Sequence, residues 1–194
     1  MINNKFRASY SILSMWKSGN WEMATKAYFK LEKFITPAMD DGRKWHKKWE
    51  EHINLTKTLP VEFGGGKLTD PKTEGKKVVE LESWLDLVGV VDCYDKPIIY
   101  EFKSGKSSSE VYAGSEQVGV YGVLATMSGL LAERAEIYHY DQYNKRSDMS
   151  IVWLTDELLK KSHEWIVTLS SEMHAYFTDN QLYEKFGANL LKKD

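Results

Sequence analysis

Between Gly89 and Lys106 the chain reads Gly-Val-Val-Asp-Cys-Tyr-Asp-Lys-Pro-Ile-Ile-Tyr-Glu-Phe-Lys-Ser-Gly-Lys, two apolar runs that each carry acidic chemistry. Val88 to Val91 is rich in β-branched residues, Tyr94-Asp95-Lys96-Pro97 is turn-like, and Ile98 to Phe102 is apolar apart from one carboxylate. Paired as a hairpin, the two runs bring Asp92 near Glu101 and Lys103 at one end. Glu101 and Lys103 are two apart, so a strand points both to one face while Tyr100 and Phe102 point to the other. A carboxylate in an apolar strand is costly unless it is paired with or bound to a cation. Hard divalent cations such as magnesium or manganese take carboxylate and carbonyl oxygens and often share ligation with phosphate. Asp92 and Glu101 supply the carboxylates, the Phe102 backbone carbonyl lies between the acid and the lysine, and His46 is the candidate imidazole. Lys103 beside such a cation could orient or deprotonate water, or neutralise charge on a pentavalent phosphate, which are the needs of phosphodiester hydrolysis.

Elements on either side of the hairpin must hold these groups. Apolar residues from Ser9 to Phe34 fall at helical spacing with a break at Gly19-Asn20, which predicts helices over 9–18 and 21–34. A third helix starts at Thr36-Pro37, with Thr36 or Asp40 as cap. Trp45, Trp49 and Ile53 form its buried stripe, and Arg43, Lys44, Lys47 and Lys48 its polar side. Leu59 to Phe63 and Lys76 to Trp84 read as strands, with a glycine-rich flexible loop between them. Ser104 to Gly114 reads as a mobile loop over the site. Glu116 to Met127 is helical despite its glycines, which would let it pack closely on the sheet. Glu136–Tyr140 and Ser150–Leu154 are further strands joined by a polar turn around Asn144. Thr155, with Asp156 and Glu157 behind it, caps a long helix through Phe177. A short helix and a loose tail close the chain.

The order is that of an α/β domain, a mixed sheet with helices on both faces. We expect one domain over 1–194, with N-terminal helices (1–56), a sheet core (57–155) and C-terminal helices (156–194). At 194 residues, a net charge of -2 and 42% hydrophobic residues, the composition is that of a soluble globular protein, and it argues against a chain that coats nucleic acid by charge alone. Cys93 is the single cysteine, which excludes an internal disulfide and a cysteine-ligated cluster within the chain. No apolar run is long enough to span a bilayer, and Met1-Ile2-Asn3-Asn4-Lys5 has no signal-peptide apolar core, so a cytoplasmic setting is expected.

Taken in order, these residues resemble the PD-(D/E)XK nucleases, and within them the RecB-like, Cas4-like exonuclease branch. Gly42 to His46 is similar to the helix bearing that branch's histidine, Gly89-Val90-Val91-Asp92 to its first acid, and Glu101-Phe102-Lys103 to its acid-x-lysine. Gln117-Val118-Gly119-Val120-Tyr121 is similar to its glutamine–tyrosine helix motif, and Ala8-Ser9-Tyr10-Ser11 to the start of its first helix. The resemblance implies a restriction-endonuclease-like mixed β-sheet flanked by α-helices. It implies metal ligation by His46, Asp92 and Glu101, catalysis by Lys103 with the two acids, and substrate positioning or lysine support by Gln117 and Tyr121. Lys106, Arg43 and Lys47 become candidate substrate contacts. It also implies a magnesium- or manganese-dependent exonuclease acting on single-stranded or duplex DNA ends, in repair or recombination, with possible protein partners in DNA processing. The family's proline is absent before Asp92, where Val91 stands, and the branch's cluster cysteines are absent.

Blander readings stay open for each group. Asp92 and Glu101 could pair with Lys103 or Lys106 at a sheet end. His46 could be a core or surface histidine, with His52 as a competitor on the same helix. Gln117 and Tyr121 could be an ordinary helix-face pair, and the basic cluster a solvated face. Ser104-Gly105-Lys106-Ser107 is not a P-loop, because the motif's first glycine falls on Tyr100. The alternative for the whole chain is a non-catalytic nucleic-acid- or protein-binding module that keeps the nuclease fold as a scaffold in a recombination or replication complex.

Overall fold

The β-branched run before Asp92 belongs to a strand that continues through the acid and past it. In the computed structural model, which describes residues 5–32 and 36–191, the strands are β1 (Phe6–Ala8), β2 (Lys72–Glu82), β3 (Leu85–Asp95), β4 (Ile98–Ser104), β5 (Arg134–Asp141) and β6 (Arg146–Trp153). The helices are α1 (Tyr10–Lys17), α2 (Trp21–Tyr28), α3 (Pro37–Thr56), α4 (Ser109–Ala113), α5 (Glu116–Met127), α6 (Asp156–Asp179) and α7 (Leu182–Phe186).

All six strands join one mixed sheet. β2 lies antiparallel along one edge of β3, β4 and β5 are parallel, and β5 and β6 form an antiparallel hairpin. The other edge of β3 is divided. Its first residues pair in parallel with β1, from Phe6↔Leu85 to Ala8↔Leu87. Its last three pair with β4, from Cys93↔Tyr100 to Asp95↔Ile98. Val88 to Asp92 therefore face a gap in the ladder, and a gap in a sheet is a place where side chains from both faces can meet.

Alternation along β4 assigns the layers. Ile99 joins a large core with Leu13, Leu87, Leu124, Ile166 and Phe177, built from α1, α5 and α6. Tyr100 and Phe102 join a smaller, aromatic core with Trp49, Ile53, Phe63 and Leu68 under α3. Each large side chain fully buried in these cores contributes roughly 1.5–3 kcal/mol.

Local signals set the helix ends. Thr36 caps α3, accepting from the Met39 amide at 3.2 Å with Pro37 in the first turn, and Asp40 has no capping part. Thr155 caps α6 by accepting from the Leu158 amide at 3.2 Å. The glycines of α5 serve a different purpose from the one expected. A Cβ at Gly119 would lie 2.0 Å from Ser162 Oγ, and one at Gly122 would lie 2.7 Å from Leu159 Cδ2, so these glycines admit α6 and not the sheet. Close approach of α5 to the sheet depends on Gly89 of β3, whose Cβ would lie 2.8 Å from Leu124 Cδ2.

Four further expectations need correction. Leu59–Phe63 is not a strand: Pro60, which lacks an N–H, leads into a short 3-10 turn over Val61–Phe63, closed by Gly64 at φ +90°. The second helix ends at Tyr28, and Phe34 lies outside the described residues. The start near Ala8 holds strand β1, which the sequence reading missed. Ser104–Gly114 is not an open loop, since it folds into α4, whose Ser109 is buried with its amide bonded to Asp148 Oδ2 at 2.6 Å. Among the described residues no helix is long and apolar enough to cross a membrane.

Candidate active site

The β3–β4 hairpin delivers Glu101 and Lys103 side by side, and Lys103 Nζ donates to Glu101 Oε1. Glu101 is buried and Lys103 mostly so. From α5, Gln117 Nε2 reaches down to donate to Glu101 Oε1 at 2.9 Å and to the Tyr121 hydroxyl at 2.9 Å. Gln117 and Tyr121 are one helical turn apart, so they lie on the same face. The helix can approach because Gly89 has no side chain: a Cβ there would lie 2.8 Å from Leu124 Cδ2, while the Tyr121 ring would be at an ordinary contact distance of 3.5 Å.

Asp92 occupies the gap between β3 and β4. Its Oδ2 accepts from the Phe102 amide at 2.8 Å, so a side chain takes the bond that a strand partner would otherwise make. Its Oδ1 lies 3.3 Å from His46 Nδ1 of α3. The gap thus joins α3 on one face of the sheet to α5 on the other, with Asp92, Glu101 and Lys103 between them. His52, the competing imidazole, instead lies against Thr58 Oγ1 at 3.1 Å.

Each charge is shaped by its neighbours. Burial, reinforced by the negative charge of Asp92, pushes the Glu101 carboxyl up to about 7 against the pull of Lys103 and His46. Burial alone would lower Lys103, but Glu101 and Asp92 outweigh it and hold the ammonium above its usual range. His46 follows the same logic: burial would lower it, and its hydrogen bond to Asp92 and the acids' charges carry it upward. Burial and the nearby Glu101 raise the Tyr121 phenol, which stays a neutral partner to Gln117.

One atom bears on metal binding. Glu101 Oε2 is buried with no hydrogen-bond partner, an expensive state for a carboxylate oxygen. An oxygen-seeking divalent cation fits this donor, with Asp92 Oδ1, His46 and the Phe102 carbonyl as the other candidate ligands. Among the described residues, no group of three or more His, Cys, Asp and Glu side chains stands arranged as a metal cage. As the side chains stand, His46 lies against Asp92 Oδ1, and Lys103 lies against the other Glu101 oxygen, Oε1.

Beside these groups opens a cleft of about 660 Å³, lined by Met39, Gly42, Arg43, His46, Lys47 and Lys103 together with Glu50. Arg43 and Lys47 therefore share the cleft with His46 and Lys103. Much of the basic face around them is neutralised: Lys44 pairs with Asp40, Lys47 with Glu51 and Lys48 with Glu62. Lys106 stands apart, paired with neither acid, with its ammonium 5.6 Å from the centre of the Tyr143 ring.

Sequence reasoning missed the support behind Lys103. Its ammonium lies 5.5 Å from the centre of the Tyr112 ring on α4. His139, the register partner of Lys103 on β5, links Asp148 at 2.6 Å to the Gly105 carbonyl at 3.0 Å, and Ser109 Oγ meets Ser150 Oγ at 2.8 Å. No short-range spacing ties residues 105, 109, 139 and 148 together, so only the ladder register reveals them.

No family model and no curated protein matches the chain. Solved structures do. An alkaline exonuclease from Laribacter hongkongensis aligns with a TM-score of 0.58 over 96% of both chains at 11% identity. Its complex with dAMP aligns at 0.59 over 94% of both chains, also at 11% identity. A phage-related exonuclease from Haemophilus somnus 129PT aligns at 0.53, with 13% identity, over 85% of this chain and 83% of that one. At these identities the likeness establishes the fold, a mixed sheet flanked by helices shared with exonucleases.

Proposed function

We propose that the chain is a magnesium- or manganese-dependent nuclease that hydrolyses DNA phosphodiester bonds, acting as an exonuclease that favours single-stranded ends. The observation that carries this reading is the meeting of Asp92, Glu101 and Lys103 in one ladder gap, with Glu101 Oε2 buried and unpartnered. The likeness to exonucleases, one of them bound to dAMP, supports a nucleic-acid substrate.

Asp92 and Glu101, with His46 and the Phe102 carbonyl, would hold the cation. When bound, it supplies Lewis-acid polarisation and neutralises charge developing on the phosphoryl oxygens. Lys103, held as an ammonium by the two acids, donates to a non-bridging phosphate oxygen or orients the attacking water. Gln117 fixes the Glu101 carboxylate from behind, and Tyr121 fixes Gln117. Arg43, which has no ion-pair partner among the described residues, lines the cleft as a phosphate contact. Incubation with manganese and end-labelled linear or circular single-stranded DNA tests this. Linear DNA is shortened and circular DNA survives if the reading holds; equal cutting of both removes the end requirement, and no cutting of either removes catalysis.

The absence of a ready metal cage among the described residues favours a second reading, a binding module in which Lys103 and His46 simply neutralise two buried acids. Calorimetric titration with manganese separates the two. Binding that is lost in Glu101→Ala supports the nuclease, and no binding at millimolar metal supports the scaffold.

A further inference from the structure

The tip of the β5–β6 hairpin carries an aromatic ring that packs into neither core. Tyr143 is 66% exposed, although a large ring forfeits considerable burial energy in water. Its backbone, by contrast, is tightly held. Asp141 Oδ1 accepts from the amides of Tyr143 at 2.9 Å and Asn144 at 3.1 Å, and Asp141 Oδ2 accepts from Asn144 Nδ2 at 2.6 Å. Gln142, the next residue back, accepts from the Trp45 indole of α3, and Trp45 packs on Trp49 and Tyr140. A fixed turn presenting an exposed ring is the geometry of a contact surface.

Three cations lie at this tip alongside the turn-holding Asp141. Lys106 lies over the Tyr143 ring, 5.6 Å from its centre, and Lys145 and Arg146 follow on the same exposed tip. The position relative to the cleft follows from the sheet. β4 and β5 run parallel, pairing Lys103↔His139 and Ser104↔Tyr140, and the Gly105 amide donates to the Tyr140 carbonyl at 3.2 Å. Lys106 leaves the sheet three residues after Lys103, and Tyr143 comes three residues after Tyr140, both at the same end of the sheet. Both segments turn as they leave the strands, so each three-residue step spans at most about 10 Å. The Trp45 that braces the tip is the immediate neighbour of His46, so one helix holds both the site and the platform.

We propose that Tyr143 and Lys106 form a nucleobase-stacking platform for single-stranded DNA, next to the cleft that holds the scissile phosphate. The base stacks on the tyrosine ring while Lys106 contacts the adjoining phosphate. Ring and cation together are what sequence-tolerant single-strand binding uses. A base inside a duplex has both faces covered by its neighbours, so the platform selects unpaired nucleotides. The assignment of the cleft to a scissile phosphate rests on the nuclease reading, but the platform itself is a binding claim.

Fluorescence anisotropy with chelator present, so that nothing is cut, tests it on the full chain. The probes are a labelled oligothymidylate, a blunt duplex, and an oligonucleotide with the same backbone and no bases. The parent binds oligothymidylate more tightly than the abasic strand. Tyr143→Ala weakens oligothymidylate binding about 5- to 150-fold, the loss of one base–aromatic stack, and leaves abasic binding unchanged. Tyr143→Phe, which keeps the ring, binds as the parent does. Lys106→Ala reduces the salt dependence with both strands by about one phosphate contact. Equal parental affinity for the two strands, or Tyr143→Ala binding like the parent, overturns the platform. Manganese-dependent cleavage is scored separately. A parent whose binding depends on Tyr143 but which never cuts DNA refutes the nuclease reading alone, and a parent that cuts while Tyr143→Ala binds and cuts equally well refutes the platform alone.

Discussion

Substituting alanine for Gly119 tests how α5 is positioned, and through it the site. The added Cβ would stand 2.0 Å from Ser162 Oγ and 3.0 Å from Ser162 Cβ, on a serine that is buried and cannot swing into solvent. Overpacking of this kind costs typically 1–3 kcal/mol, and 2.0 Å is so far inside contact distance that the upper end applies. Replacing a mid-helix glycine with alanine returns roughly 1 kcal/mol of helix propensity. The net expectation is a loss of about 2 kcal/mol, or roughly 4–8 °C in Tm for a chain of this length. Urea unfolding followed by circular dichroism should show a lower midpoint with an unchanged slope. Ser162→Gly removes both clashing atoms, so the double variant should recover much of the loss, which isolates the pair as the cause. Because Gln117 and Tyr121 flank Gly119 by two residues each, any shift of α5 also loosens the grip on Glu101. A Gly119→Ala variant as stable as the parent, or a double variant showing no coupling, would refute this account of why the helix carries glycines.

Three further outcomes follow from the same geometry. Asp95 is buried and accepts from the amides of Thr69 and Asp70 at 2.7 Å each, so Asp95→Ala should cost about 3 kcal/mol by leaving both donors unpaired; a change in urea stability below about 0.5 kcal/mol would contradict it. Gln117→Leu removes the donor that orients Glu101 and should weaken manganese binding by about 10- to 100-fold in calorimetry, as loss of an outer partner does at metal sites. Burial would raise the Asp148 carboxyl, but hydrogen bonds from Ser109 and His139 outweigh it and hold the group below its usual value. Its contribution to stability is therefore complete above the unfolded value of about 3.9 and fades as pH falls through the lower folded value. The stability gap between the parent and Asp148→Asn should be constant above about pH 5 and shrink towards pH 3, and a gap that widens on acidification would reverse the sign.

What could be read from the sequence was whatever a few neighbouring residues decide. Periodicity and caps located α3, α5 and α6, with Thr36 and Thr155 acting at their starts. The carboxylates in apolar strands marked Asp92 and Glu101 because their placement has an energetic cost that shows in the sequence. Long-range pairing was not legible. Three residues, Phe6–Ala8, become a strand only because the first part of β3 lies open beside them. The apolar run at Leu59 does not become one, because Pro60 lacks a donor and starts a tight turn. Ser104–Gly114 reads as loop from its small polar residues, but Asp148 and Ser150 on β6 anchor it as α4. At the site, His46 and His52 lie on one helix, and only the fold shows that His46 faces Asp92 while His52 faces Thr58. The basic cluster on α3 looked like a free charged face, yet Asp40, Glu51 and Glu62 partner all three of its lysines, leaving Arg43 at the cleft.

The most direct test compares initial rates of manganese-dependent nucleotide release from end-labelled single-stranded DNA by the parent and by Lys103→Ala, with circular dichroism confirming that both are folded. Lys103 touches Glu101 and faces the cleft, so its removal should lower the rate by about 10²–10³-fold, the usual loss when one preorganised charge-stabilising group is deleted. A folded Lys103→Ala protein that releases nucleotides as fast as the parent would contradict the assignment of this strand gap as the catalytic centre.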